Sequence, residues 1–496
     1  MSFRSYWQAI HDAGLALTVD EMVDPCLQVA ARISQLNEVP VMFRQVRGSR
    51  YRIVAGVCAQ RGLFALGLGV PKERLLFFLA TAGLRNPSPP ALLTGPAPCQ
   101  DVVEERVDLH QLPILTHLPG DGGAYVTAGV AIVKDPELGR NMSFHRLMLL
   151  DETRTAVRLV EGRGAHTAVQ KAGGRLEIAV CIGNSPAVLL AAAMSPAPGV
   201  DELSIANALA STPLVRCRTV DLEVPADAEI VLEGHITPEM VDEGPFLDLT
   251  ETMDIVRRQH VIEFQCMTHR HDAIYQALLP GGLEHKLLMG MPREPTIYEE
   301  VSKVCECVNV LLTPGGGSWL HAVVQIRKHG ADDGRRAVSA AFRGHSSLKH
   351  VLVVDDDINI YDPLELEWAL ATRFQANDHL ELLSGQPGSS LDPSALHVPG
   401  AKSSTAKMGL DATVPWRKPS GSLRTEHERA LFRKVRYQAP PEYQGIGCRT
   451  RRPSRPDGVG TPSRPDGVGT PSRPDGVGTP SRPDGAGATQ EGTNHA

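Results

Sequence analysis

The stretch VTAGVAIVKDPELGRNMSFHRLMLL, residues 126–150, carries the period that decides the fold. Its alternating apolar run from Val126 to Val133 reads as a strand, Asp135-Pro136 as a turn, and the residues from about Met142 to Leu150 as a second strand. Asn141 and Arg146 stand five positions apart there. On a strand that odd spacing puts them on opposite faces, unless a bulge intervenes. The same texture continues outward. TAVRLV, LEIAVCIG, VRCRTVDLEVP, EIVLEGHIT and HVIEFQCMTHR are short runs rich in β-branched residues, with the short helices HTAVQKAG and DELSIANALAS between them. Residues 101–300 therefore read as a mostly antiparallel β domain, a barrel or a sandwich.

Within that domain EGPFLDLT, 243–250, reads as a site. Pro245 lacks an N–H and Gly244 tolerates positive φ, which predicts a tight turn. Glu243 and Asp248 flank it, and a turn lets two carboxylates enter one cavity. Burial and mutual repulsion would push their pKa values apart and leave one protonated as an acid. Taken alone, the octapeptide also reads as a surface turn with two solvated acids. An arginine beside the pair, such as Arg146, would hold a substrate carboxylate bidentately.

Asn141-x4-Arg146 followed by Glu243-Gly-Pro-Phe-x-Asp248 resembles the UbiD-type decarboxylases, which use prenylated flavin mononucleotide. The likeness covers most of residues 1–440 and includes LLPGGLEH (278–285), DINIYDPLELEWALATR (357–373) and KMGLDAT (407–413). It implies that residues 101–300 form a split β-barrel that binds the flavin. It also implies reversible, non-oxidative decarboxylation of an α,β-unsaturated or (hetero)aromatic carboxylic acid through a covalent prenylated-flavin adduct, with natural-product biosynthesis as one setting. Losing CO2 from such an acid leaves electron density that only a cofactor can accept.

Carried over residue by residue, the resemblance makes Arg146 the residue that orients the substrate carboxylate and borders the cofactor. Glu243 becomes the acid that protonates carbon, and Asp248 its partner carboxylate. Asn141, Met194, Glu202 and Lys407 become cofactor contacts. Asn141, Glu202 and His166 become ligands of a divalent metal, manganese by preference, that holds the cofactor phosphate; a potassium ion is a further candidate. The family's metal-binding His falls sixteen to eighteen residues after the Arg, where this chain has Gly162 and Gly164. His166 is the nearest imidazole and reads equally as a helix-start residue. Glu202 in a first helical turn also reads as a macrodipole partner, although Asn141 and Glu202 offer oxygen donors suited to a hard cation. Lys407, in a Gly-containing loop, competes with Lys402 for the phosphate. Leu247, Leu249 and Arg163 are candidates to line the pocket. The implied partners are a small carboxylic acid, a flavin prenyltransferase that supplies the cofactor, and further copies of the chain in a dimer or hexamer. Two other classes stay open. A split-barrel flavin reductase would need no such Arg and acid set, and no GxGxxG follows a strand here. A non-catalytic assembly subunit would not keep the acids and Arg intact.

Composition excludes other classes. A net charge of −7 gives no electrostatic reason for nucleic acid binding. No apolar run approaches the roughly 18–20 residues of a membrane span, and MSFRSYWQAIHDAG lacks a signal-peptide core. Nine cysteines without CxxC spacing argue against a disulfide framework or a zinc site. A cytoplasmic protein is expected.

The flanks complete an α/β multidomain plan. Residues 1–37 read as helical, VPVMFRQV and YRIVAGV as strands, and PKERLLFFLATAGL as a helix before the Pro-rich connector at 86–100. This N-terminal α/β domain is assigned 1–100. From 301 to 445, VNVLLTPGGG, HAVVQIRK and HVLVVDDDINI alternate with helices such as DPLELEWALATRFQ, predicting a layered C-terminal α/β oligomerisation domain. Residues 446–496 contain SRPDGVGTP three times and a degenerate fourth copy. Such units bury too little apolar area to offset chain entropy, so a disordered tail is expected.

Overall fold

The computed structural model describes residues 1–398 and 402–435, so the nonapeptide array lies outside the described residues. The β-rich centre folds into a nine-stranded sheet. Its spatial order is Tyr125–Val126, Leu147–Leu149, Arg154–Val157, Arg257–His269, Ile230–Glu243, Leu176–Ile182, Val130–Asp135 and Gly139–Phe144, with Val102–Glu104 paired beside Arg257–His269. Alternation sorts its side chains to two cores. Ala131, Val133, Ile178 and Val180 face one, and Val130, Ile132, Ala179 and Cys181 face the other.

Among the described residues, strand pairing gives an open ladder, one end strand of which is Gly139–Phe144. Helices pack against that strand. The Met142 N–H donates to the Glu202 carboxylate at 2.9 Å, so a side chain occupies an edge where another strand would pair. The run 126–150 is also more broken than its periodicity predicts. Gly129 lies so close to Val180 that a Cβ would stand 3.0 Å from its methyl carbon, and the first strand divides there. The second divides at His145 and Arg146. Arg146 thus leaves the ladder, and the odd spacing from Asn141 no longer sets it on the opposite face.

Residues 1–37 are not all helical. Phe3–Asp12 and Gln28–Gln35 are helices, the first capped by Ser2 and burying Phe3, Tyr6, Trp7 and Ile10, a helical stripe. Between them Leu17–Val23 is a largely exposed edge strand, drawn in by parallel pairing with Val41–Val46. The sheet continues through Arg52–Ala55 and ends on Ile274–Gln276, which pairs in parallel with Arg52–Ala55.

The C-terminal sheet runs Glu306–Leu312, His321–Arg327, His350–Asp355, Ser404–Asp411, Leu380–Pro387. Val324, Val351 and Val353 pack with Val338 and Ala341 of the helix Asp333–Gly344 on one face. Val323, Leu352 and Val354 pack with Ala369 of Pro363–Arg373 on the other. Lys407 belongs to the strand Ser404–Asp411, not to a loop, because Leu382 and Leu383 pair antiparallel with Met408 and Lys407. Among the described residues no helix is long and apolar enough to cross a membrane.

Candidate active site

The strand break delivers Arg146 into a buried cage of acids. Its carbonyl accepts from the Arg158 N–H at 3.2 Å, and its guanidinium lies over Phe246, 4.9 Å from the ring centroid. Glu243, fully buried at the end of Ile230–Glu243, clamps it side-on: Nε donates to Oε1 at 2.8 Å and Nη2 to Oε2 at 3.0 Å. Gly244 has φ of +101°, which a side chain would strain, and this allows the chain to reverse. Phe246–Leu247 then pairs with Met253–Asp254. Nη1 of Arg146 donates to Asp248 Oδ2 at 3.1 Å, and Nη2 to Asp254 Oδ2 at 2.9 Å. Burial alone would lower the Arg146 pKa; Glu243, Asp248 and Asp254 more than reverse it, so the cation is permanent.

Sequence reasoning missed three residues of this cage. Asp254 is one. Burial pushes its pKa up, but Arg257 and Arg146 hold it net below the usual carboxylate range. His285, on the helix Leu283–Gly290, accepts from the Gly281 N–H at 3.0 Å. Burial lowers its pKa while the nearby Asp248 opposes, leaving a neutral imidazole beside the acid pair. Tyr125 stacks on Phe246 at 4.3 Å, and burial together with Glu243 raises its phenol pKa. Its hydroxyl is buried without a partner. Of the pocket candidates, Leu249 is buried and Leu247 half-buried.

A second cluster lies along Gly139–Phe144. Asn141 Nδ2 donates to Glu202 Oε1 at 3.1 Å, and its Oδ1 is buried without a partner. Glu202 opens the helix Glu202–Leu209, and burial raises its carboxyl to about 7. Met194 is buried at the end of Pro186–Ala193. Next to it, Ser195 accepts from Arg293, whose Nε is buried without a partner; burial and Arg163 lower the Arg293 pKa to about 10. Lys407 is buried on the C-terminal sheet. Its ammonium donates to the Ser346 carbonyl at 2.7 Å beside a cavity of about 280 Å³ that Phe342 and Arg343 also line. Lys407 and Arg293 both act on His345, so the cations share one region. His166 Nδ1 accepts from the Gly162 N–H at 3.3 Å, and among the described residues no three His, Cys, Asp or Glu side chains converge as a metal site. The position facing Asn141 is Gly164, where a Cβ would stand 3.0 Å from the carboxamide.

Three family models match in chain order. The N-terminal domain of 3-octaprenyl-4-hydroxybenzoate carboxy-lyase matches residues 8–82, its Rift-related domain 92–283, and its C-terminal domain 286–412. The chain belongs to the UbiD family. It is 42% identical, over 81% of its own length and 94% of the relative's, to the anhydromevalonate phosphate decarboxylase of Methanothermobacter thermautotrophicus. It is 30% identical to the gallate decarboxylase of Lactiplantibacillus plantarum, over 80% and 87%. Among solved structures it is similar to the UbiD-class enzyme HmfF from Pelotomaculum thermopropionicum in complex with FMN. There the TM-score is 0.79 at 39% identity, covering 84% of this chain and 95% of that one. An evolved dimeric form of HmfF in complex with prFMN gives 0.77 at 38%. This UbiD-family chain is a carboxy-lyase, a decarboxylase with a multidomain α/β fold.

In this UbiD-family enzyme the buried, unpaired Arg293 Nε and the Lys407 ammonium suit the phosphate end of a flavin nucleotide, and the orphaned acceptor Asn141 Oδ1 suits a cation beside it. The donor set for a divalent cation is less complete. Asn141 and Glu202 supply two oxygens, and Gly164 supplies nothing where a third side chain would reach.

Proposed function

We propose that this enzyme decarboxylates an α,β-unsaturated or (hetero)aromatic carboxylic acid reversibly, with prenylated FMN as cofactor. The observation that carries the proposal is the buried Arg146, gripped side-on by Glu243 and met at its far end by Asp248. Bound to the enzyme, the modified flavin supplies the electron sink that no side chain offers. Asn141, Met194, Glu202 and Lys407, with Arg293, would hold its phosphate end, aided by a divalent cation such as manganese and by potassium. Arg146 orients the substrate carboxylate. As the carbon–carboxylate bond breaks, CO2 leaves without the electron pair, and the carbon takes a proton from the Glu243 carboxyl. A proton taken up from solvent by way of Asp248 then restores the Glu243 carboxyl, so one proton is consumed for each CO2 released. The relatives at about 40% identity favour an acrylic-type acid over an aromatic one, since they are named for anhydromevalonate phosphate. A flavin prenyltransferase would supply the cofactor, and a cytoplasmic homo-oligomer is the working form.

The test is co-expression with a prenylating enzyme, followed by the absorbance spectrum and mass of the bound flavin and by CO2 release from a panel of acids. Prenylated flavin together with CO2 release is expected. Unmodified flavin with nicotinamide oxidation would instead identify a reductase.

A further inference from the structure

Arg146 has almost no hydrogen-bonding capacity left. A guanidinium carries five N–H donors, and four hydrogen bonds already run to three carboxylates. Glu243 takes the Nε–Nη2 side with both oxygens. The other end, Nη1 and Nη2, is met by one oxygen of Asp248 and one oxygen of Asp254. That end is the remaining place where a carboxylate could bind through two parallel bonds.

We propose that Asp248 and Asp254 together stand in for the substrate carboxylate on Arg146, and that Asp254 is the group the substrate displaces. The proposal rests on the reading of Arg146 as the carboxylate-orienting residue. Asp254 is a positioning residue: it keeps the cation ordered and neutralised until an acid arrives.

What separates Asp254 from Asp248, whose second oxygen accepts only from the Leu249 N–H, is a cation of its own, Arg257. The second oxygen of Asp254 is already engaged, accepting from the Ile255 N–H at 2.9 Å and pairing with Arg257. It can therefore release Arg146 without becoming an unpaired charge, which would be costly in a buried site. The residues beside it in the hairpin, Met253, Ile255 and Val256, are exposed at 45%, 66% and 49%, which leaves this edge of the cage room to move. Glu243, by contrast, is fully buried and spends both oxygens on Arg146. Four carboxylates on Arg146 and Arg257 would leave excess negative charge, so an incoming acid favours the departure of one.

Acetate is the probe, because it fits the end of a guanidinium whatever the shape of the remaining pocket. Its affinity for the full-length protein is measured by calorimetry on wild type and on Asp254→Asn, Asp254→Ala, Asp254→Glu and Arg146→Gln, with melting temperatures recorded. Removing the internal competitor should tighten acetate binding at least about tenfold in the Asn and Ala variants, the scale of one charged hydrogen bond. Asp254→Glu should stay near wild type. A merely structural role would loosen binding, never tighten it. Acetate binding in Asp254→Asn no tighter than in wild type, or absent from both, overturns the proposal. Undiminished acetate binding in Arg146→Gln would instead overturn the assignment of Arg146.

Discussion

Replacing Glu243 by glutamine keeps the volume and one acceptor on Arg146 but removes the transferable proton. Turnover should fall by roughly 10²–10⁴-fold, the usual contribution of a positioned acid, while flavin absorbance stays with the purified protein. Retention of a tenth of wild-type turnover would move the acid elsewhere. At Gly164 the expectation runs the other way. A histidine there would project at the Asn141 carboxamide, so Gly164→His should raise bound manganese, measured by elemental analysis, whereas His166→Ala should leave it unchanged if its Nδ1 serves only to accept from the Gly162 N–H. Glu243 and Asp248 were legible because EGPFLDLT reads as a turn that can aim two carboxylates into one cavity, and the resemblance of Asn-x4-Arg to the family's motif added Arg146. Asp254 was not, since six residues past Asp248 it looks like any acid in a hairpin. His285 stood inside a recognised motif, yet only folding brings it to Asp248.

Among the elements, the helix Leu283–Gly290 shows how a site is aimed by groups that never touch it. Its first N–H groups donate to Glu38, and its own Glu284 accepts from the Gly56 and Cys58 N–H groups at 2.9 Å each. His285 is thereby tied to the N-terminal sheet. Burial first, and then the neighbouring Glu38, push the Glu284 carboxyl up to about 8. A carboxyl whose pKa is raised on folding contributes stability that is fully present below its ordinary value near 4.5 and is lost as pH climbs towards 8. Denaturant midpoints should therefore fall across that window with a slope from this group of at most about 1.4 kcal/mol per pH unit, and Glu284→Gln should flatten the fall. Elements with a strong period were legible: the helix Phe3–Asp12, the central strands and the C-terminal layers. Leu17–Val23 was not, because an exposed edge strand has no buried stripe to announce it. Ile274–Gln276 was missed for another reason, as its partner lies far back in the chain.

For the whole molecule, the C-terminal limit of the working enzyme is set by one buried cation. Arg373, 1% exposed, pairs with Asp355 and Asp357 and donates through Nε to the Phe432 carbonyl at 3.0 Å. Deleting everything after Thr450 should leave melting temperature and turnover unchanged, because SRPDGVGTP units carry no core of their own. Ending the chain before Phe432 removes a partner of Arg373 and should lower the melting temperature measurably in the same assay. At the opposite end, the N-terminal sheet is finished only by Ile274–Gln276, on the far side of the central domain. A ribosome adding 5–20 residues per second takes roughly 10–40 s to travel from one strand of that pair to the other. Throughout that interval the nascent N-terminal layer presents an open strand edge, a template for mispairing until Ile274–Gln276 is made.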